Sequence, residues 1–159
     1  MGNTENQNIP MGLVTLTMSI PVRRGAGGWR CEVRVGGPQG TVPARLKRWL
    51  EAEALSLLAD DLAHYCARAD VAVPQLGLSR ATRRWGSCSG KGVIRINWRL
   101  VMAPDHVRRS VVAHEVAHLV HFNHSPAFHA LLDDLFEGEV DAANHWLKRH
   151  GRSLYAHFG

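Results

Sequence analysis

The sequence has little cysteine and no long apolar run, and these two absences exclude several classes of protein. Its three cysteines, Cys31, Cys66 and Cys88, lie far apart without a Cys-x-x-Cys pair, which argues against a disulfide framework or a thiolate zinc site. No apolar stretch reaches membrane-span length, and the polar residues 1–10 lack the basic segment of a secretion signal. We therefore expect a cytoplasmic protein without a membrane partner.

Acidic residues are scarce in one part of the chain. Residues 80–109 contain eight Arg or Lys and a single acid, Asp105, within a chain of formal net charge +5. Such a stretch permits a nucleic-acid partner, although a solvated arginine-rich surface gives the same composition. The oligomeric state is left open by the sequence.

The chain of 159 residues, 45% of them apolar, predicts one α+β domain over 1–159 without internal repeats. Residues 1–40 form a polar lead and a short β region, in which residues 14–20 and 29–35 alternate as a pair of strands. Residues 41–159 form the helical and catalytic core. Apolar residues at helical spacing predict a helix over 41–69.

A second pair of strands and three further helices are predicted downstream. Residues 76–79 alternate, as do residues 93–98 after the turn signal at 89–92. Pro104-Asp105 begins a helix that extends to about His121, and Ser125 and Pro126 cap and begin the next helix. The last helix covers 139–150 and is stopped by Gly151.

Histidine is the residue type in marked local excess. Five of the ten histidines lie between His114 and His129, and His114-Glu115-x-x-His118 is a helical zinc motif. Residues four apart share one helix face, so both imidazoles can hold one ion. His124 reaches the same ion only if the chain turns first, and Phe122-Asn123 is the expected place because asparagine tolerates the left-handed conformation.

Three protein ligands with an open fourth position are typical of catalytic zinc. We therefore predict a Zn²⁺ site of His114, His118 and His124, and Glu115 as the base for a zinc-bound water that attacks a carbonyl. His121 and His129 lie near this site without an assigned role. The residue that stabilises the oxyanion is left open among Tyr65, Tyr155, His121 and several arginines.

Three segments in the same order resemble the YgjP-like metallopeptidase domain, a family related to the SprT and WLM zinc proteases. They are Arg84-Trp85-Gly86-Ser87-Cys88, Ile96-Asn97-Trp98-Arg99-Leu100, and the histidine motif followed by Asn123-His124-Ser125-Pro126-x-Phe128. The resemblance implies a small zincin-like fold, in which a twisted antiparallel sheet packs on the H-E-x-x-H helix and an edge strand can pair with an extended peptide. It also implies the three histidine ligands and a catalytic Glu115.

Further residues near these segments are candidates for the substrate cleft or for the surroundings of the metal ligands: Trp85, Ser87, Asn97, His121, Asn123 and His129. Together these features favour a zinc-dependent hydrolase, most simply a peptidase acting on a polypeptide. Trp85 to Cys88 has no chemical role that follows from its residue types, and packing is the simpler interpretation.

Two alternative functions remain open. The first is a metal-dependent phosphohydrolase acting on nucleotides or RNA, since rRNA-maturation endonucleases of the YbeY type share the three histidine offsets, although they lack the equivalent of Glu115. The second is a zinc-stabilised nucleic-acid-binding module, in which His129 or Asp133 completes a closed site. The direction of Arg84, Arg95 and Arg99 relative to the metal separates the first alternative from a peptidase.

Overall fold

The computed structural model describes residues 14–18, 31–35, 39–156 and 158, with side chains described from residue 40 onward. Strands β1 (Val14–Met18) and β2 (Cys31–Val35) form an antiparallel two-stranded sheet in which Val14 pairs with Val35. This pairing agrees with the predicted pair of strands. The polar lead and residues 19–20 and 29–30 of the two predicted strands lie outside the described residues.

The longest element is helix α1, Val42–Ala69, which follows a 3₁₀ turn at Gln39–Thr41. Its buried face carries apolar side chains at helical spacing, namely Leu46, Leu50, Leu58, Leu62 and Tyr65. The helix ends where Asp70 adopts the left-handed conformation (φ 54°, ψ 46°) and its N–H donates to the last carbonyls. The predicted helix over 41–69 is confirmed.

A mixed three-stranded sheet supports the second half of the chain. Its strands are β3 (Leu76–Ser79), β4 (Gly86–Cys88) and β5 (Ile94–Asn97), in the order β3-β5-β4. The β4–β5 pair is antiparallel, as expected, but β3 runs parallel to β5. The sheet is therefore mixed, and not antiparallel throughout as the family resemblance implied, because β5 inserts between β3 and β4.

Three helices follow a 3₁₀ segment at Trp98–Met102: α2 (Asp105–Val120), α3 (Pro126–Leu135) and α4 (Val140–His150). Ser125 caps α3 as predicted, because its Oγ accepts a hydrogen bond from Phe128 N at 3.2 Å. α4 ends at His150, but Gly151 is right-handed (φ −55°, ψ −38°) and begins a 3₁₀ segment, Gly151–Tyr155. A side chain at 151 would place Cβ 2.9 Å from Trp85 Cζ2, so close packing requires the glycine.

Helix α2 lies at the centre of the domain, where it packs against α1, α3, α4 and β4. The core between these elements is built from large, fully buried side chains, among them Trp98, Tyr65, Phe128, Ile94, Ile96 and Leu100. The α+β class is confirmed. No helix in the described part of the chain is long and apolar enough to span a membrane.

Candidate metal centre

Three histidine nitrogens converge at the C-terminal end of α2. His118 Nε2 lies 3.1 Å from His124 Nε2, which in turn lies 3.2 Å from His114 Nε2. Two nitrogens that bind one zinc tetrahedrally at about 2.0–2.1 Å are separated by about 3.3 Å. The spacing of the three nitrogens therefore fits a single ion held by His114, His118 and His124.

After α2 the chain reverses direction through His121, whose backbone is extended, and brings His124 back beside the helix. α2 ends because His121 leaves the helical conformation (φ −125°, ψ 102°). The expected left-handed Asn123 is wrong, since Asp70 is the one non-glycine residue with positive φ in the described part of the chain. Instead, the Asn123 carbonyl accepts a hydrogen bond from Ser125 N at 2.8 Å. This short turn leads into the α3 cap and fixes His124 between the two helices.

The backbone of His121 orients one of the ligands. His118 Nδ1 lies 3.2 Å from the His121 carbonyl oxygen, so Nδ1–H donates to it. This bond selects the tautomer whose Nε2 has a free lone pair facing the other two histidines. His121 thus contributes its carbonyl group to the site.

Phe128 forms the floor beneath the three imidazoles. Its ring centroid lies 4.9 Å from that of His114, 4.5 Å from His118 and 4.9 Å from His124, and its side chain is fully buried. The sequence motif contained Phe128, but it gave the residue no role. The sequence feature that could have identified Phe128 is a large apolar side chain one helical turn after His124, at the start of a capped helix.

Glu115 is buried beside the triad, with 5% of its surface exposed. Its carboxylate packs against β4, where a Cβ at Gly86 would lie 2.6 Å from Glu115 Oε1. No hydrogen-bond donor among the described residues reaches this carboxylate. Burial raises the pKa of Glu115 to about 7, against an opposing effect of Arg84.

Burial also affects the protonation of His114. It lowers the pKa of His114 to about 4, with further lowering by the neighbouring His118, His124 and His129. His114 is therefore neutral at physiological pH. A neutral imidazole is the form that binds a metal.

A cavity of about 220 Å³ opens beside His114 and Glu115. It lies between the start of β4, the middle of α2 and one face of α4. Nine residues line it: Trp85, Gly86, Ser110, Val111, His114, Glu115, Val140, Asn144 and Leu147.

The candidate cleft residues of the β region separate into two groups. Trp85 lines the cavity and packs against Tyr155 at 5.4 Å between ring centroids, and Ser87 lies in β4 opposite Arg95. Asn97 is fully buried away from the triad, where its Nδ2 donates to the Ala81 carbonyl at 2.8 Å. The structure therefore gives Asn97 internal partners and leaves Trp85 at the cleft.

The remaining candidates lie at the rim of the site. Asn123 and His129 are exposed, and the His129 ring stacks 6.3 Å from that of His124. Two of the residues considered for stabilising the oxyanion form hydrogen bonds within the fold instead. The Tyr65 hydroxyl donates to Glu137 at 2.9 Å, and the Tyr155 hydroxyl donates to the Ala81 carbonyl at 3.0 Å.

Half of the basic residues in residues 80–109 are engaged within the fold. Arg80, Arg108 and Arg109 form ion pairs with acids. Arg99 is buried, stacks over Trp98 at 4.8 Å and donates to the Phe158 carbonyl at 2.6 Å. Arg95 is exposed and alternates with the buried Ile94 and Ile96. Of the three arginines expected to test a phosphate site, Arg84 is the one whose charge acts on Glu115.

The fold and the site together define a small α+β domain of the zincin type with a candidate metal centre on its H-E-x-x-H helix. Comparison with protein-family models gives a match to the YgjP-like metallopeptidase domain over residues 22–150. The chain belongs to this family, which confirms the resemblance seen in the sequence. Searches of curated proteins and of solved structures gave no match.

Proposed function

We propose that the protein is a zinc-dependent peptidase acting on polypeptides in the cytoplasm. The observation that carries this proposal is the convergence of three histidine Nε2 atoms next to a buried glutamate without a hydrogen-bond partner in the described chain. Family membership supports the peptidase class. The free thiols of Cys66 and Cys88 agree with a reducing compartment.

The donor set fits zinc. Three imidazoles without a thiolate form a borderline-soft nitrogen site, and their spacing matches tetrahedral ligands. Neither His129 nor Asp133 belongs to the cluster of possible ligands found among the described residues, which favours an open site over a closed structural one. When bound there, zinc would acidify water and polarise a carbonyl group.

Glu115 supplies the proton transfers in this proposal. Its carboxylate, with a pKa of about 7, accepts a proton from the attacking water and returns it to the leaving amine. Gly86 leaves room for the carboxylate beside β4. β4 is an edge strand of its sheet, so its free side can pair with an extended polypeptide next to Glu115.

The phosphohydrolase alternative has less support from the structure. Phosphate recognition favours convergent arginines, but Arg99 is buried against Trp98 and Tyr155. Arg95 is exposed and alternates with the core-facing residues of β5, so Arg84 is the one of these three arginines whose charge acts on Glu115, and a single arginine is not a convergent set. A nucleic-acid partner would have to use the exposed remainder of the basic stretch, and its affinity would fall steeply with salt.

The test compares the zinc-loaded wild type with Glu115→Gln on denatured protein, mixed oligonucleotides and nucleotide triphosphates, with products identified by mass. We expect peptide products from the wild type and none from Glu115→Gln. Glu53→Gln, which makes the same change at an exposed position of α1, is the matched control and should keep activity. Peptide cleavage that survives in Glu115→Gln, nucleotide products from the wild type, or a chain without stoichiometric zinc would contradict the proposal.

A further inference from the structure

The cavity beside Glu115 has the size of one large side chain. Its volume of about 220 Å³ exceeds the roughly 150 Å³ of an apolar cavity that holds benzene. Its lining is partly apolar, and the large apolar side chains come from three elements: Trp85 before β4, Val111 in α2, and Val140 and Leu147 in α4. Because His114 and Glu115 also line it, a group in this cavity lies directly beside the candidate catalytic residues.

Besides His114 and Glu115, two polar side chains line the cavity, Ser110 and Asn144. Ser110 is 5% exposed, and its hydroxyl makes no hydrogen bond to any described residue. Asn144 is exposed, and its amide also has no partner in the described part of the chain. Ser110 Oγ is not among the described side-chain atoms that are both shut off from solvent and without a partner, so a hydrogen-bonding group in the cavity can reach it. Ser110 therefore marks an inner position for a hydrogen bond, and Asn144 marks the mouth.

We propose that this cavity receives one side chain of the polypeptide substrate and prefers tyrosine, an inference that rests on the proposed peptidase function. An aromatic ring fills the apolar part of the cavity and packs against Trp85. The phenolic hydroxyl supplies the partner that Ser110 lacks. No cationic Lys or Arg side chain is among the lining residues, so an acidic side chain would enter without a counter-charge.

The first test measures binding to the metal-free full-length chain and is independent of catalysis. NMR titrations with p-cresol and toluene follow the methyl groups of Val111 and Leu147. We expect p-cresol to bind about tenfold more tightly than toluene, the effect of one additional hydrogen bond. Ser110→Ala should remove this preference, and shifts confined to residues outside the cavity would overturn the proposal.

A second variant blocks the cavity at its exposed mouth, where a large residue is tolerated by the fold. Asn144→Trp should abolish binding of both probes. Ala142→Trp makes the same change at an exposed position of α4 that does not line the cavity, and it should bind p-cresol like the wild type. Binding that is unaffected by Asn144→Trp would place the probe elsewhere and contradict the proposal.

Cleavage-site profiling of denatured protein then tests the preference during catalysis. We expect tyrosine at one fixed position next to the cleaved bond for the wild type, and loss of that preference in Asn144→Trp. Cleavage with an identical profile in both would overturn the pocket while leaving the peptidase function intact. If p-cresol binds in the cavity but no polypeptide is cleaved, the peptidase function is wrong and the preference of the cavity stands.

Discussion

The two ends of helix α2 each carry a cluster of polar side chains, but only the N-terminal cluster has its charges paired within the protein. Arg108 Nε lies 2.6 Å from Asp61 of α1, and its Nη1 lies 2.6 Å from Asp105. Arg109 Nη1 lies 2.7 Å from Glu137, which follows α3. Asp61 and the Arg108 side chain are buried, yet each has an opposite charge as a partner. Arg109 Nε, 3.6 Å from Asp61 Oδ1, is buried without a hydrogen bond. The cluster thus joins α1 and α2 to the segment after α3 and pairs every charge in it.

At the C-terminal end the three histidine nitrogens face one another, and the buried Glu115 has no hydrogen-bond partner among the described residues. A metal ion and a substrate would satisfy these groups. The difference indicates how a structural polar cluster can be told from a functional one. The charges of a structural cluster are paired within the chain, whereas a functional cluster needs a ligand to supply the partners it lacks.

The largest expected effect on stability is at the N-terminal cluster. Asp61→Ala leaves the buried Arg108 with only the half-exposed Asp105, and we expect the free energy of unfolding to fall by about 3 kcal/mol. Urea unfolding of the variant measures this loss. Asp60→Ala, at the exposed neighbouring position of α1, should change stability by less than about 0.5 kcal/mol. Equal effects of the two substitutions would contradict a structural role for the network.

Zinc bound at the C-terminal cluster should stabilise the folded protein. A metal that binds the native state alone raises the free energy of unfolding by about 2.7 kcal/mol at a free concentration of 100 times the Kd. We expect this gain for the wild type and its loss in His118→Ala. His106→Ala alters an exposed histidine of the same helix and should respond to zinc like the wild type. Urea unfolding with zinc and with EDTA measures all three, and a gain retained by His118→Ala would contradict the site.

The convergence of the three histidines was largely predictable because its geometry is local. The four-residue spacing of His114 and His118 on a helix determines their common face, and a turn before His124 was required. The conformation of that turn was not predictable, since an extended His121 and a left-handed Asn123 both reverse the chain. Both conformations are compatible with the sequence, and tertiary packing selects between them.

Contacts between distant parts of the chain could not be derived from spacing. The Asp61–Arg108 pair joins residues 47 positions apart, and it depends on the register of α1 against α2. The parallel pairing of β3 with β5 depends on which strand inserts into the sheet. Asn97 looked like a cleft residue in its motif, but it lies inside the fold. Such roles follow from packing, which the sequence pattern does not specify.

A smaller effect is expected at the cap that positions the third ligand. Ser125→Ala removes the hydrogen bond from Phe128 N and should lower the free energy of unfolding by about 1 kcal/mol. Zinc affinity should also weaken, because Ser125 follows His124 directly and Phe128 lies beneath the triad. Isothermal titration with zinc measures this. Ser56→Ala, at an exposed position within α1, is the control. Unchanged zinc affinity in Ser125→Ala would show that the cap does not position the third ligand.

A modest loss of stability should accompany a large loss of activity in the last variant. In Gly86→Ala the new Cβ would lie 2.6 Å from Glu115 Oε1 and 2.9 Å from its Cγ, so the whole Glu115 side chain has to turn away from β4. We expect the free energy of unfolding to fall by about 1 kcal/mol, the lower end of the cost of overpacking, while peptide hydrolysis falls at least about tenfold, since a displaced base transfers protons poorly.

Gly77→Ala in β3 is the matched control, because its Cβ would meet Arg95 Cγ at an ordinary 3.5 Å. It should retain both stability and hydrolysis. If Gly86→Ala instead destabilised the fold as strongly as Asp61→Ala, Glu115 would be a fixed packing element like the buried Arg108. The contrast between the two ends of α2 would then fail, because a carboxylate held for substrate must be able to move without unfolding the protein.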